Sequence, residues 1–142
     1  MYDRLTIGLD DAQRGVAAAL DEATRRGLRI AIAVADDRGD LVAYAAQDAV
    51  IRISRDLSIQ KAYTSAIGRR SSKNYAALMR ERVHIPVELL LGPRATSSAG
   101  GIAIKKSDES IGGIGVSGAS SAEEDEELCK LAIEAMGLSA CS

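Results

Sequence analysis

Residues 28–48 read LRIAIAVADDRGDLVAYAAQD. Two runs rich in β-favouring residues, Ile30 to Ala35 and Leu41 to Ala46, flank the polar segment Asp36-Asp37-Arg38-Gly39-Asp40. That pattern predicts a β-hairpin. The first run is apolar almost without interruption, as in a central strand covered on both faces. An early antiparallel pair also argues against regular βαβ alternation, and so against a dinucleotide-binding sheet.

Upstream, Ala12, Val16, Ala19, Leu20 and Ala23 recur at helical spacing between Asp10 and Arg26, and Gly27 supplies a stop. Downstream, residues 52–68 predict a helix closed by Gly68, with Ile53, Leu57, Lys61 and Thr64 on one flank and Ile59, Tyr63 and Ile67 beside it. Ser71 or Ser72 can cap a further helix through Arg82. The stretch VHIPVELLLGPRATSSAGG holds both prolines of the chain and predicts a long irregular connection, with a short extra strand around Glu88 to Leu91. Ile102–Lys105 and Ile111–Val116 form a second hairpin across KSDES. An acidic helix follows, capped through Ser121-x-x-Glu124 or Ser120-x-x-Glu123. The order α-β-β-α-α-β-β-α predicts an α+β fold with a mainly antiparallel sheet.

The 142 residues suit one domain, residues 1–142, with a flexible tail over 138–142. There is no Phe or Trp and there are four Tyr, so the core is expected to be Ile, Val, Leu and Ala. Few aromatics and a net charge of −2 argue against nucleic-acid partners. No run is long and apolar enough to predict a membrane span. No secretory leader is recognisable, and Cys129 and Cys141 make neither a metal spacing nor a disulfide framework, so a cytoplasmic location is expected.

The segments AIAVADDRGDLVAYAAQD, QKAYTSAIGR, GGIAI and GGIGVSGASSAEEDEELCKLA follow in order a pattern that resembles the GlcG/HbpS-like family, which includes the C-terminal domain of PduO-type proteins. The likeness covers residues 5 to 137. It implies a profilin-like fold, a central antiparallel sheet flanked by helices, and assembly into homo-oligomers. Some relatives bind haem; others accompany catabolic enzymes. By motif match, the family's recurrent positions fall on Asp36, Asp48, Lys61, Gly100, Gly101, Gly115 to Gly118 and Asp125.

Lys61 sits on a largely apolar helix flank, where an ammonium either snorkels outward or takes an anionic partner. That partner could be Asp36, Asp48 or an acid of the last helix. The bend from Gly115 to Gly118 offers backbone N–H groups to a carboxylate, although a tight strand-to-helix turn accounts for its glycines equally. The leading expectation is a small-molecule-binding protein for an organic anion or carbonyl compound. Its site would draw on Asp36, Asp48, Lys61, Arg94, Gly100, Gly101, Ser117 and Gly118. The alternative is a cofactor-independent hydratase, dehydratase or isomerase, with Lys61 polarising an oxygen and Glu124 or Asp125 moving a proton. No cofactor and no metal are expected. A second alternative is haem, for which His84, the one histidine, is the only imidazole ligand. Eight basic residues between 52 and 82 and six acids between 123 and 134 also suit contacts between subunits.

Overall fold

The computed structural model describes residues 1–142. Helix α1 (Leu9–Arg25) precedes the hairpin β1 (Ala31–Asp36) and β2 (Leu41–Ala46). Helices α2 (Arg52–Gly68), α3 (Ser72–Val83) and the short α4 (Val87–Leu91) follow. Strands β3 (Gly101–Lys106) and β4 (Glu109–Ser117), helix α5 (Ala122–Ala135) and strand β5 (Ser139–Cys141) complete the chain. The sheet order is β2-β1-β4-β3-β5, antiparallel throughout. The expected α+β architecture is present.

Two elements differ from expectation. The segment from Glu88 to Leu91 lies in a helix, not a strand: Pro86 is its N-cap and Val87 is buried as its anchor. Proline suits the start of a helix, where a missing N–H costs nothing. Residues 139–141 form an edge strand on β3, with Ala103 opposite Cys141 and Lys105 opposite Ser139. They sit where a flexible tail was expected, because pairing there satisfies backbone groups that β3 would otherwise leave open.

The two faces of the sheet are built differently. On one, Ile30, Ile32, Val34, Ile102, Ile104, Ile114 and Val116 pack against α1 and α5 in a core that also holds Leu128, Ile133 and Met136. The other face carries nothing larger than a methyl group at its centre. Ala33 and Gly101 pair with Gly115, and Ala35 and Ala103 pair with Gly113. Helix α2 lies directly on this floor. A Cβ on Gly113 would stand 2.5 Å from the Ala62 carbonyl oxygen, and one on Gly115 would stand 2.3 Å from that of Ser58. Helix backbone therefore meets strand backbone, and the gain is close dispersion contact more than transferred apolar area.

This floor divides the expected flank of α2, turning Lys61 and Thr64 inward and leaving Ile53 outside. The residues turned inward are Ser54, Ser58, Lys61, Ala62, Thr64, Ser65, Ala66 and Gly68, while Ile53 and Ile59 are exposed. A bulky side chain cannot enter so narrow a gap. Three of the four buried hydroxyls are satisfied within the helix: Ser58 donates to the Arg55 carbonyl at 2.9 Å, Thr64 to Gln60 at 2.8 Å and Ser65 to Ala62 at 3.1 Å.

Candidate functional site

Two candidate sites lie on either side of α2, and the sequence had joined them into one. The first surrounds Lys61, which is 3% exposed. Its Nζ donates to the Val116 carbonyl at 2.8 Å and to Asp125 Oδ2 at 3.1 Å. The other carboxylate oxygen of Asp125 accepts the Ala119 N–H at 3.1 Å. The pair thus ties α2 to the end of β4 and to the first turn of α5. Burial raises the pKa of the Asp125 carboxyl, against the opposing pull of Lys61 and the Ala119 amide. Beside it, Cys129 is fully buried and donates to the Gly100 carbonyl at 3.2 Å; desolvation pushes its thiol far above the ordinary range.

Gly100 and Gly101 do meet Lys61, as expected, but as packing. A Cβ on Gly100 would fall 2.6 Å from Lys61 Nζ, and one on Gly101 2.5 Å from the Lys61 carbonyl oxygen. Gly118, with φ of +113°, packs against the Arg29 carbonyl, 2.3 Å from where its Cβ would be. Ser117 is buried at the end of β4, opposite Ala31. The bend from Gly115 to Gly118 is therefore a close-packed connection, and Lys61 and Asp125 line none of five surface clefts of 280 to 460 Å³.

The remaining expected site residues lie apart from this pair. Asp36 organises the β1–β2 turn: its Oδ1 accepts the Arg38 and Asp40 N–H groups at 2.9 and 3.0 Å. It pairs with Gly112, whereas Ser117 pairs with Ala31, so it stands roughly 16 Å along the strand from the Ser117 end at about 3.3 Å per residue. Asp48 is exposed in a shallow depression with Arg29, Ala46 and Gln47. Glu124 turns away from Lys61: it accepts the Ser120 N–H at 3.0 Å and pairs with Arg26 at 3.0 Å, acting as a cap and a latch to α1. Hydrogen bonds from Ser120 and then Arg26 hold its carboxyl below the usual range. His84 ends α3 in the left-handed region (φ 64°) and is exposed.

Arg94 marks the second site. Its guanidinium lies 4.2 Å from the centroid of the Tyr63 ring and donates to the Gly39 carbonyl at 3.2 Å, with Asp40 at 3.6 Å. The cleft beneath it measures about 280 Å³ and is walled by Leu41, Ile59, Tyr63 and Pro93, with Gln60 and Asp56 at its rim. Gln60 fixes one wall by donating to the Pro93 carbonyl at 2.9 Å. Sequence reasoning singled out Arg94 but missed Leu41, Ile59 and Gln60. Their one signal was the flank of α2 that carries Ile59 and Tyr63.

A family model described as haem degrading protein, HbpS-like, matches residues 7–134. The chain belongs to the HbpS-like family. Protein GlcG of Escherichia coli strain K12 is 34% identical over 117 residues, which cover 82% of this chain and 85% of that protein. The crystal structure of Klebsiella pneumoniae protein ORFY superposes with a TM-score of 0.87 at 23% identity, covering 96% of this chain and 94% of that one. PduOC, solved as a haem complex, superposes with a TM-score of 0.84 at 20% identity, covering 97% and 100%. The HbpS-like fold is thus the frame on which Lys61, Asp125 and the Arg94 cleft are placed.

Proposed function

We propose that this HbpS-like chain binds a small organic anion with an apolar body, in the cleft between α2 and the β1–β2 turn. The observation that carries this reading is the Arg94 guanidinium, held over Tyr63 at the mouth of a cleft with aliphatic walls. A planar cation whose orientation is fixed by stacking suits a carboxylate, since its remaining N–H donors form a fork. Ile59 and Leu41, exposed in the free chain, would be covered by the ligand's hydrocarbon part. Lys61 then serves to position α2, not to hold the ligand, and its pairing with Asp125 gives the acid–base alternative no support.

Isothermal titration of the full chain with short-chain and aromatic carboxylates tests the proposal. Arg94→Gln removes the charge and keeps a polar side chain. Losing a charge-assisted hydrogen bond of about 1.5–3 kcal/mol weakens binding roughly ten- to hundredfold. Binding that is equally tight in the variant sinks the Arg94 site.

A second reading, haem binding, is supported by the family description and by the relative solved with haem. In this chain His84 is exposed beside Val83, itself 42% exposed, so an axial imidazole is accessible. Titration with haem should then give a shifted Soret band that His84→Ala abolishes. A spectrum identical to free haem removes this reading.

A further inference from the structure

The two edges of the sheet are finished differently. One ends on the short β5, whereas the other is the full length of β2, which pairs with β1 alone. The Gln47 N–H bonds to the Ile30 carbonyl at 2.9 Å, and the register continues with Ala45 opposite Ile32 and Ala43 opposite Val34. Alternation along an antiparallel ladder therefore turns the N–H and C=O groups of Tyr44 and Ala46 away from β1. Free edges are ordinarily blunted by a charge, a proline or a covering segment. Residues 41–46, LVAYAA, hold neither charge nor proline. The one register shift against β1 lies towards the Leu41 end, beside Ala35.

Helix α1 widens this edge into an apolar surface. Between the two runs a groove of about 440 Å³, walled by Leu9, Gln13, Ala17 and Leu20 from the helix and by Val42 and Ala43 from the strand. No charged side chain of α1 lines it. Leu9 is 52% exposed and Ala17 is exposed as well, so a strand added at β2 finds both backbone partners and an apolar wall. Charge stands at the two ends. Asp10, next to Leu9, and Arg38, in the β1–β2 turn, mark the Leu41 end; Arg29 and Asp48 share a depression with Ala46 at the other. All four are exposed, and none makes an ion pair within the chain. A fitting partner is an uncharged strand with one cation and one acid at each end, and the chain itself carries such a strand.

We propose that β2 and the α1 groove dock a second copy of this chain, with the two β2 strands antiparallel about a two-fold axis normal to the sheet. Such a contact is isologous and sets the Leu41 end of one copy against the Ala46 end of the other. Arg38 then meets the second copy's Asp48, and Asp10 its Arg29, each pair formed twice. The two five-stranded sheets become continuous, and the open backbone groups of Tyr44 and Ala46 are satisfied. Leu41, itself 52% exposed, also walls the Arg94 cleft, so the second copy borders that cleft; this last point alone rests on the carboxylate reading.

Sedimentation velocity of the full chain, with no carboxylate present, tests the dimer apart from the Arg94 site. The chain should sediment at twice its own mass, with a dimer Kd of ~10 µM or tighter. Ala17→Glu brings a charge into the apolar contact from both copies and should raise that Kd at least about tenfold. Ala46→Pro removes an outward N–H and no bond to β1, and should have an effect of the same size. Arg38→Glu and Asp48→Arg should each raise the Kd roughly two- to thirtyfold, because the surface pair occurs twice. Combining them exchanges the charges and should return the Kd to within about threefold of wild type. Circular dichroism should be unchanged in every variant. A chain that stays monomeric, a dimer indifferent to Ala17→Glu or to Ala46→Pro, or a double variant no tighter than the single ones would each overturn the proposal.

Discussion

Replacing Lys61 by methionine tests the role assigned to the buried pair. The substitution keeps the length of the side chain but strands Asp125, which is 6% exposed and shares its other oxygen only with the Ala119 N–H. Breaking a buried ion pair from one side typically costs about 3–5 kcal/mol, because the surviving charge is left without a partner. Against a total of about 5–15 kcal/mol for a domain, that is a large share. The pH dependence separates charge from packing. Asp125 has a folded pKa raised above its ordinary value of 3.8, and removing Lys61 raises it further. Between the unfolded and folded values the native state binds more protons than the unfolded one. Stability therefore falls by up to about 1.4 kcal/mol per pH unit as pH rises through that window. The deficit of Lys61→Met should be largest at pH 7 and shrink as the solution is acidified towards the ordinary carboxyl range. Urea denaturation of wild type and variant at several pH values measures it. A deficit that is small, or equally large at every pH, refutes the assignment of Lys61 to charge balance.

Gly115→Ala should cost about 3 kcal/mol, the upper end for overpacking. Its Cβ would meet backbone atoms of Ser58 and Ala62, and Gly8→Ala, with nothing within 4 Å, is the control in the same denaturation assay. Glu88 shows an acid effect of opposite sign to Asp125. Burial alone would raise its pKa, but the Ser97 hydroxyl and N–H, both at 2.8 Å, hold it below its ordinary 4.5. The stability it lends is complete above that value and is lost as pH falls through the folded pKa, so Glu88→Gln should flatten the acid limb of stability against pH. Thiol titration should find one fast-reacting group in the native chain, Cys141, because Cys129 is fully buried with its thiolate strongly disfavoured; both should react in denaturant. Two fast thiols in the native protein would mean that the α5 side of the core opens readily.

The elements readable from the sequence were those with a single dominant period or a recognisable terminus. The two β-rich runs around residues 31–46 and the Ser71 and Ser121 caps have local causes, and local causes appear in local sequence; α2 instead ends on Arg69 in the left-handed region, and Gly68 is its last helical residue, close-packed against the Tyr75 ring. Helix α2 was found at its true bounds, but its expected flank is split, with Lys61 and Thr64 against the sheet and Ile53 outside. Its inward residues are serines and alanines because Gly101, Gly113 and Gly115, some forty or more positions away, leave no depth for anything else. Hydrophobic periodicity cannot register a gap set by another segment. The same long-range cause divided the expected site. Lys61 found its partner in Asp125, one of the acids of the last helix, whereas Arg94 was carried by the α4–β3 connection to the opposite flank of α2, onto Tyr63. Asp36 reads as a ligand residue or as a turn residue from its neighbours alone; the N–H groups of Arg38 and Asp40 make it a turn residue.

Seating one helix on bare glycines also gives the molecule a stiff side and a compliant one. Between α2 and the sheet the side chains are short, and Lys61, the one long one, is held at its tip by Val116 and Asp125, so warming or pressure has little there to rearrange. Across the sheet, branched and thioether side chains under α1 and α5 can exchange rotamers and absorb strain. Slow amide exchange should therefore persist longest along α2 and β4, and early opening should begin at α1. A guest docking on the Arg94 flank would meet a nearly rigid wall, and its arrival should be felt as a change in dynamics on the far layer before any change of shape on the near one.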